Sequence, residues 1–343
     1  MGVSLKDLIV KEEIEIRDLN GKVIVIDAYN MLYQFLTTIR DREGNVLTNS
    51  KGKTTSHLIG LFSRLVYFFE NNIKSIFVFD GEAPKLKKLE RERRREIKED
   101  AKAKYEIAVK ESDIEAMKRY ASRTARLTTE MVDDAKKLIK AMGIPIIQAP
   151  SEGEAQAVHM VKKGDAHACV SQDFDNLLFG APIMIKNLNI SGKRKKIHGI
   201  GMKTIKPEQI ILEKVLKELE INQEQLIHLG ILVGTDFNIG GIKGVGPKNA
   251  LKNVIKFKDN YEEMYEELKW DEYFDFSWKE VYDLFENMPV TDDYELNWEK
   301  ADEDEIRKIL IEEYDFSEER VSSSLDKIGK SNEKKTQKSL GDF

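Results

Sequence analysis

Two uninterrupted apolar runs, each followed at once by an aspartate, constrain the fold of this chain more than any other feature. Val23–Ile26 leads into Asp27, and Ile76–Phe79 leads into Asp80. Short apolar runs without polar alternation are typical of parallel strands that are buried on both faces of a sheet. Ligands of such sheets bind at the carboxyl ends of the strands. We therefore expect both aspartates at a ligand-binding edge.

The segments around these runs alternate between helical and strand patterns. Apolar residues at helical spacing predict helices over Thr54–Glu70, Thr128–Met142 and Glu152–Lys163, and short apolar runs predict strands over Ile144–Ile147 and Ala166–Val170. This alternation predicts an α/β fold with a mostly parallel central sheet and helices on both faces.

The second half of the chain is predicted to be largely helical. Ile183–Leu188 and the turn at 191–196 predict a hairpin attached to the sheet, and helices follow over Pro207–Leu219 and Gln223–Val233. From about residue 259 the chain is helical, acidic and rich in aromatic residues. The segment from Ser331 lacks a burial pattern and is predicted to be a tail.

Five further carboxylates follow the two aspartates, four of them in carboxylate-x-carboxylate pairs: Glu152 with Glu154, Asp173 with Asp175, and Asp236 alone. In an extended turn, side chains at i and i+2 lie on the same side, so each pair can address one ion. Two unit charges about 5 Å apart repel by roughly 3 kcal/mol at an effective dielectric near 20. A cluster therefore requires raised pKa values or bound cations. Oxygen-only ligands favour Mg²⁺ or Mn²⁺, although any single aspartate could instead cap a helix.

Composition limits the class of protein. Hydrophobic residues make up 41% of the chain, which supports a real core, and the single Cys169 excludes a disulfide framework. These features predict an intracellular protein, and no apolar run is long enough to predict a membrane span. The net charge of −6 averages opposite regions: residues 85–126 hold 15 basic and 9 acidic residues, whereas residues 292–319 hold 3 and 13. A basic segment beside an acidic metal cluster suits a polyanion that is bound and cut.

Two local patterns point to phosphate contacts. Lys87, Arg91, Arg94 and Lys98 are spaced so that they form one basic stripe on a helix, which could equally be a solvated surface face. The glycine-rich segment 240–248 opens a helix, where free backbone N–H groups can meet a phosphate, although glycine-rich turns are more often simple connectors.

The ordered set of motifs resembles the structure-specific 5′ nuclease superfamily of the XPG type, and most closely the flap endonucleases in their short, archaeal-like form. The resemblance covers essentially the whole chain. It rests on these segments: Val25-Ile-Asp-Ala, Val78-Phe-Asp-Gly, Ala149-Pro-Ser-Glu-Gly-Glu-Ala-Gln-Ala, Ser171-Gln-Asp-Phe-Asp-Asn-Leu-Leu-Phe-Gly and Leu232-Val-Gly-Thr-Asp-Phe-Asn.

The resemblance implies a PIN-like nuclease core with two insertions or extensions. The core would comprise residues 1–83 and 127–258, and a helical arch would occupy 84–126. A helix–two-turn–helix element that grips duplex DNA would lie at about 223–256. An acidic helical region would cover 259–330, and a flexible tail would cover 331–343.

By resemblance, seven carboxylates bind two Mg²⁺ ions, for which Mn²⁺ can substitute, and support two-metal hydrolysis of a phosphodiester. Lys87 and Arg94 of the arch would face the scissile phosphate as catalytic cations. The implied metal ligands are Asp27, Asp80, Glu152, Glu154, Asp173, Asp175 and Asp236.

The resemblance also assigns DNA contacts. Tyr33 would stack on a base at the flap junction, and Arg40 and Arg64 would contact the template strand. Thr55, Phe316 and Arg320 would form a pocket for a one-nucleotide 3′ flap. The resemblance also implies a potassium ion at the turn 240–246, where Gly241 replaces a serine of some relatives. The remaining DNA contacts would lie in and just after this turn: Lys243, Gly244, Gly246 and Lys248.

The C-terminal segment resembles a peptide that binds a sliding clamp. Its docking residues would be Gln337, Leu340 and Phe343, and the chain has one terminal aromatic where the usual peptide has two.

These implications together predict a monomeric, intracellular, Mg²⁺-dependent 5′ flap endonuclease and 5′–3′ exonuclease that acts on branched DNA in Okazaki-fragment maturation and repair. Alternatives are a sibling nuclease that works mainly as an exonuclease or on bubble or junction DNA, an RNA-cutting nuclease of a related compact fold, and a non-catalytic, clamp-tethered DNA-binding protein.

Overall fold

The computed structural model describes residues 3–111, 113–121, 124–188, 193–195 and 202–341. Only the backbone is described at residues 109, 114, 118, 193–195, 202–204 and 330–341. Its strands are β1 (Glu12–Glu13), β2 (Val23–Asp27), β3 (Lys74–Phe79), β4 (Ile146–Gln148), β5 (Ala168–Val170), β6 (Ile183–Lys186), β7 (Lys193–Lys195), β8 (Met202–Thr204) and β9 (Glu208–Ile211).

The helices lie between and after these strands. They are α1 (Ala28–Thr38), α2 (Ser56–Glu70), α3 (Lys87–Lys110), α4 (Ile114–Ala121), α5 (Thr129–Ala141), α6 (Gly153–Lys163), α7 (Asp175–Leu178), α8 (Leu212–Leu219), α9 (Gln223–Val233), α10 (Pro247–Phe257), α11 (Tyr261–Glu267), α12 (Trp278–Glu286), α13 (Glu303–Arg307) and α14 (Glu318–Gly341). Short 3₁₀ turns occupy Ile16–Leu19 and Trp270–Glu272, and Lys308–Glu313 is π-helical.

The described residues form a sheet of seven strands in the order β1-β9-β6-β5-β2-β3-β4. The five strands from β6 to β4 in that order are mutually parallel, whereas β9 and β1 extend the sheet antiparallel at one edge. The predicted mostly parallel sheet is therefore confirmed, and the two apolar runs form its adjacent interior strands β2 and β3.

Alternate residues of the central strands enter two separate cores. Ile24 and Ile26 of β2 pack with α1, α2, α5 and α14 on one face, whereas Val25 packs with α6, α7 and α9 on the other. Phe77 and Val78 of β3 divide in the same way. Because successive side chains of a strand point to opposite faces, a continuous apolar run is what a doubly covered sheet requires.

The predictions for residues 183–219 were partly wrong. Residues 208–211, which we predicted as the start of a helix, form β9 and pair with β6, and the helix begins only at Leu212. Ile210 is buried in that pairing. β-Branched isoleucines are compatible with either a helix or a strand. The segment forms a strand because the edge of β6 offers it backbone hydrogen-bond partners. The predicted turn at 191–196 was also wrong where it is described, because residues 193–195 form the strand β7, which pairs with β8 in a separate two-stranded sheet; the rest of that segment lies outside the described residues.

The predicted arch segment contains α3, of 24 residues, and α4, which packs against it. At the other end of the chain, α14 continues to Gly341, past Ser331, where we predicted a tail. Its last turns contain Lys, Glu and Gln, which have high helix propensity, so the backbone can stay helical without an apolar face. In the described part of the chain, no helix has the length and apolarity needed to cross a membrane.

An aromatic cluster around His228 anchors α9 to the C-terminal helices. The imidazole stacks on Tyr261 at 3.6 Å and on Tyr282 at 4.9 Å between ring centroids, and its Nδ1 hydrogen-bonds the Tyr265 hydroxyl at 3.0 Å. Burial lowers the pKa of His228 to about 3, so the folded protein holds a neutral ring.

This lowered pKa predicts an acid-dependent loss of stability. The unfolded chain takes up a proton near pH 6.5, whereas folded His228 does so only near pH 3, so its stabilisation is complete above pH 6.5 and is lost as the pH falls. Between pH 7 and pH 5, the free energy of unfolding of the wild type should therefore fall by about 2 kcal/mol more than that of His228→Phe. Urea unfolding at both pH values measures this, and equal losses in the two proteins would contradict it.

Candidate active site

The carboxyl edge of the parallel strands carries the predicted carboxylates. Asp27 is the last residue of β2, and Asp80 directly follows β3. Asp173 lies in the loop after β5, between that strand and α7. Because parallel strands end at the same edge, the fold brings these side chains to one place. The other four lie at adjoining helix ends: Glu152 and Glu154 at the start of α6, Asp175 at the start of α7, and Asp236 after α9.

Local hydrogen bonds fix the first two carboxylates. The Asn30 backbone N–H donates to Asp27 Oδ1 at 3.0 Å, so Asp27 also caps α1. The Gly153 backbone N–H donates to Asp80 Oδ1 at 2.7 Å. A Cβ at position 153 would lie 2.7 Å from the same oxygen, so a glycine is required there for this approach.

Side-chain and backbone donors fix three more. Asn30 Nδ2 donates to Asp173 Oδ2 at 3.2 Å, and the Ser171 hydroxyl donates to Glu154 Oε1 at 3.1 Å. The Asp175 carboxylate accepts a backbone N–H from the N-terminal segment at 2.9 Å. These donors hold each carboxylate in place, but none of them carries a full positive charge.

Burial and mutual repulsion raise the pKa of several of these groups. Burial, followed by the charge of Asp80, raises the pKa of Asp27 to about 7. Burial, followed by the charge of Asp236, raises the pKa of Asp175 to about 7. Burial and then Asp175 raise the pKa of Glu154 well above its usual range. Positive charge close to these carboxylates would therefore stabilise their ionised forms.

The arch helix supplies part of that charge. Lys87 Nζ hydrogen-bonds Glu152 Oε2 and lies 3.7 Å from Asp236 Oδ2. Arg94 Nη2 donates to both oxygens of Asp236, at 3.0 and 2.7 Å. Burial alone would lower the pKa of Lys87, but the Glu152 charge and hydrogen bond outweigh it and raise that pKa. The two predicted catalytic cations thus contact the predicted metal ligands directly.

The donor set fits hard divalent cations. Within the described ranges, no three Asp, Glu, His or Cys side chains already surround a common point closely enough to hold an ion. Glu152 and Asp236 instead turn toward Lys87 and Arg94. The cluster nevertheless offers only oxygen ligands, and a bound cation would offset the burial and the neighbouring negative charge that raise the pKa values of Asp27 and Asp175. Mg²⁺ and Mn²⁺ suit such ligands.

The basic stripe of α3 faces the site unevenly. Lys87, Arg94 and Lys98 are half-buried against the core, whereas Arg91 is exposed. Lys98 Nζ lies 5.3 Å from the ring centroid of Tyr33, which stands on α1 and is 37% exposed. The predicted stacking residue is thus accessible at the edge of the carboxylate cluster, beneath the arch helix.

The two predicted template contacts differ in exposure. Arg40 Nη1 donates to the Gly44 carbonyl at 2.7 Å, while its buried Nε and Nη2 have no hydrogen-bond partner among the described residues. Arg64 is only 7% exposed, and its guanidinium lies 5.1 Å from the Tyr67 ring centroid. Arg40 is therefore half-buried, whereas Arg64 is buried within α2.

The residues predicted to form a 3′-flap pocket come from segments that the fold brings together. Thr55 is buried at the start of α2, and Phe316 is half-buried. The Ser50 backbone N–H donates to Asp315 Oδ2 at 2.9 Å and so joins the segment before Thr55 to the one before Phe316. Arg320 is exposed on α14 nearby in sequence.

The glycine-rich turn joins α9 to α10 as predicted. A Cβ at Gly241 would lie 2.4 Å from the Leu232 carbonyl oxygen, and Gly241 has a φ of +57°, so a side chain there would be strained. Gly246 precedes α10, and among the described residues no side chain caps that helix. The four predicted contacts of the turn are all exposed: Lys243, Gly244, Gly246 and Lys248.

Three residues near the site were not predicted. Asn30 contacts both Asp27 and Asp173, and Lys186 Nζ donates to the Gln172 carbonyl beside Asp173. Burial lowers the pKa of Lys186 to about 8. The third is Glu90, a buried partner of Arg94 whose i to i+4 spacing in the sequence was the available signal.

The predicted clamp-binding residues are only partly described. Gln337 and Leu340 lie in the helical backbone of α14, with side chains outside the description, and Phe343 lies outside the described residues altogether.

Comparison with known proteins places these features in a family. Residues 1–101 match the XPG N-terminal domain, and residues 143–236 match the XPG I-region. The chain is 50% identical over 330 residues to flap endonuclease 1 of Pyrococcus abyssi, covering 96% of this chain and 94% of that protein. It is 51% identical over 334 residues to flap endonuclease 1 of Staphylothermus marinus, covering 96% and 95%.

Solved structures agree with these matches. Flap endonuclease-1 from Methanococcus jannaschii superposes with a TM-score of 0.77 at 41% identity, covering 97% of this chain and all of that one. The catalytic core of Rad2 in complex with DNA substrate superposes with a TM-score of 0.66 at 23% identity, covering 93% and 96%, which shows a shared fold. From the identity along almost its whole length, this chain belongs to the flap endonuclease family of XPG-type, structure-specific 5′ nucleases.

Proposed function

We propose that this protein is a 5′ flap endonuclease with 5′–3′ exonuclease activity, which hydrolyses a DNA phosphodiester near the junction of single and double strands. The observation that carries the proposal is the contact between the clustered carboxylates and the arch cations, with Arg94 on Asp236 and Lys87 on Glu152. A nucleic-acid backbone that enters between the carboxylates and the cations would contact the proposed metal ligands and the positive charges of Lys87 and Arg94 at the same place. Okazaki-fragment maturation and repair are the processes that generate such substrates.

The proposed cofactors are two Mg²⁺ ions, with Mn²⁺ as a substitute. Bound ions of this kind supply Lewis acidity to a phosphate and to an attacking water. The residues that would hold them are Asp27, Asp80, Glu152, Glu154, Asp173, Asp175 and Asp236. The potassium ion at 240–246 stays a prediction, and the tight packing of Gly241 argues against a hydroxyl-bearing ligand at that position.

The arch cations would bind and orient the scissile phosphate. Lys87 and Arg94 already reach the edge of the carboxylate cluster, so the same side chains can contact phosphate oxygens there. Cations aimed at the developing negative charge lower the barrier without reorganisation during the reaction.

Recognition of structure, with no preference for sequence, fits the remaining contacts. Tyr33 offers an exposed ring on which any base can stack. The exposed Lys243 and Lys248 lie beside the uncapped start of α10, where backbone N–H groups and lysines together favour a phosphate.

The proposed partners follow from the substrate and the C-terminal sequence. Branched DNA with a 5′ flap is the substrate, which places the protein with DNA inside the cell, and it is proposed to act as a monomer. The peptide ending in Leu340 and Phe343 is proposed to dock on a sliding clamp.

The activity is tested with end-labelled double-flap, nicked and single-stranded DNA in the presence of Mg²⁺. The wild type should cut the flap substrate best, and EDTA should abolish cleavage. Asp173→Asn should lose at least about 100-fold in cleavage rate while binding the flap as tightly or more tightly, because a negative charge near DNA is removed. Asp271→Asn, an exposed change in the C-terminal region, serves as the control. Near-wild-type cleavage by Asp173→Asn would refute the metal-site assignment.

A second comparison separates chemistry from duplex binding. Arg94→Ala should lower the single-turnover rate at saturating enzyme by about 100-fold with little change in affinity. Lys248→Ala should instead weaken duplex binding and reduce its salt dependence by about one phosphate contact. Lys256→Ala, on the same helix α10 but paired with Glu267, is the matched control. Identical behaviour of the Arg94 and Lys248 variants would disprove the proposed division of roles.

The tail is tested by deletion of residues 337–343. Cleavage by the isolated enzyme should stay unchanged, since the deletion touches no metal ligand and no arch cation, whereas stimulation by a sliding clamp should fall sharply. Lys338→Ala is the control within the same segment. Calorimetry with tail peptides should show tighter clamp binding when a second aromatic follows Phe343, by about 1–2 kcal/mol. Absence of binding by both peptides would remove the clamp from the proposed partners.

A further inference from the structure

Glu90 is a buried carboxylate on a helix that is highly charged and largely exposed. It lies in the first turn of α3 and is 2% exposed, whereas its neighbours Glu92 and Arg93 are exposed. Acidic side chains are rarely buried to this degree unless they are paired. Its burial therefore requires a specific set of partners.

Two arginines provide those partners. Arg94 Nε donates to Glu90 Oε1 at 2.7 Å, and Arg93 Nη1 donates to Glu90 Oε2 at 3.1 Å. The Arg94 contact is the shorter one, and charge-assisted hydrogen bonds of this length are among the strongest in proteins. The Arg93 and Arg94 side chains are similarly exposed, at 44% and 39%, but Arg94 also bonds Asp236, so the partner that Glu90 holds within the site is Arg94.

The Arg94 guanidinium is thereby held from two sides. Its Nε is bound to Glu90 on the same helix, and its Nη2 is bound to both oxygens of Asp236 across the site. An arginine has several flexible torsions, and a bond at Nε alone fixes most of the side chain up to the guanidinium plane. If Asp236 takes another partner, Glu90 still fixes the direction in which Nη2 points.

We propose that Glu90 is a positioning residue for catalysis, which holds Arg94 at Nε so that its Nη2 edge is aimed at the position of the scissile phosphate. The inference rests on the proposed function, because it gives Glu90 a role only through Arg94. Glu90 contacts neither the carboxylate cluster nor, on this proposal, the substrate. Its contribution is to restrict the Arg94 side chain to one rotamer, so that Arg94 is already oriented before each turnover.

A purely structural role makes a different prediction. If Glu90 only anchored the first turn of α3, its loss would lower stability and disturb Lys87 and Arg94 alike. A positioning role through Arg94 affects the rate at saturating substrate, and it disappears when Arg94 itself is removed. The two roles are therefore separable by a double-mutant cycle.

The test uses the full chain and a labelled double-flap substrate in single-turnover reactions with Mg²⁺. Glu90→Gln keeps the shape of the side chain but removes its charge, and it should lower the rate at saturating enzyme by about 10- to 100-fold with little change in DNA affinity. Glu90→Gln added to Arg94→Ala should cause no further loss. Glu92→Gln, two residues along the same helix and half-exposed, is the matched control and should retain the wild-type rate.

A second measurement is independent of cleavage. In the wild type, the Arg94 Nε–H proton should give a distinct, slowly exchanging NMR resonance, because it is hydrogen-bonded to a buried carboxylate, and Glu90→Gln should shift this resonance and speed its exchange. If Glu90→Gln does not fold, Glu90→Asp serves instead. It keeps the charge but shortens the side chain by one methylene, and it should show the same loss of rate and protection.

Three results would overturn the inference. The first is a wild-type rate for Glu90→Gln while Arg94→Ala is impaired. The second is an equal loss from Glu90→Gln in the wild-type and Arg94→Ala backgrounds, which would show that Glu90 does not act through Arg94. The third is an unchanged Arg94 Nε–H resonance in Glu90→Gln. If the wild type cleaved no flap substrate, the proposed function would fail, and the resonance alone would still decide whether Glu90 positions Arg94.

Discussion

The repulsion among buried carboxylates at the carboxyl edge of the sheet is the interaction on which this site depends. Asp175 is buried, Asp27 and Glu154 are partly buried, and neighbouring carboxylates add negative charge, so the pKa of each is raised. Such a cluster persists only with compensating positive charge. Lys87 and Arg94 of α3 provide it through Glu152 and Asp236. These ion pairs hold the N-terminal end of α3 against the carboxylate cluster, which is also where a bound phosphate would need cations.

The fold holds the cluster together with short local interactions. Asn30 ties Asp27 to Asp173, the Gly153 backbone holds Asp80, and Ser171 holds Glu154. These donors come from the first turns of helices and from loops directly after strands, where backbone and side-chain donors are not used by regular structure. A rigid sheet with both faces packed therefore positions the ligands, while α3 is attached mainly through charged contacts. This difference in attachment suits a site in which the carboxylates stay fixed while α3, which lies over them, makes room for a nucleic acid.

Much of the fold could be predicted because its strands are buried on both faces. The runs ending at Asp27 and Asp80 allow no other placement, and the amphipathic helices α2, α5 and α6 were predicted to within two residues. The segment 208–211 was predicted wrongly because Ile210 and Ile211 fit either a helix or a strand. Only the unpaired edge of β6, distant in sequence, decides between them.

The sequence by itself predicted which side chains could form the proposed metal site: Asp27 and Asp80 end buried strands that share one edge of a parallel sheet, and the other five carboxylates lie in motifs that resemble the family. It also determined the family, through motifs that span the chain. Only the tertiary structure decided which charges compensate them: Arg94 meets Asp236 across 142 positions in sequence. It also decided that Glu90 is buried while Arg91 is exposed, although both belong to one highly charged helix. Burial and long-range ion pairing depend on how α3 lies against the core, and no local pattern of residues contains that information.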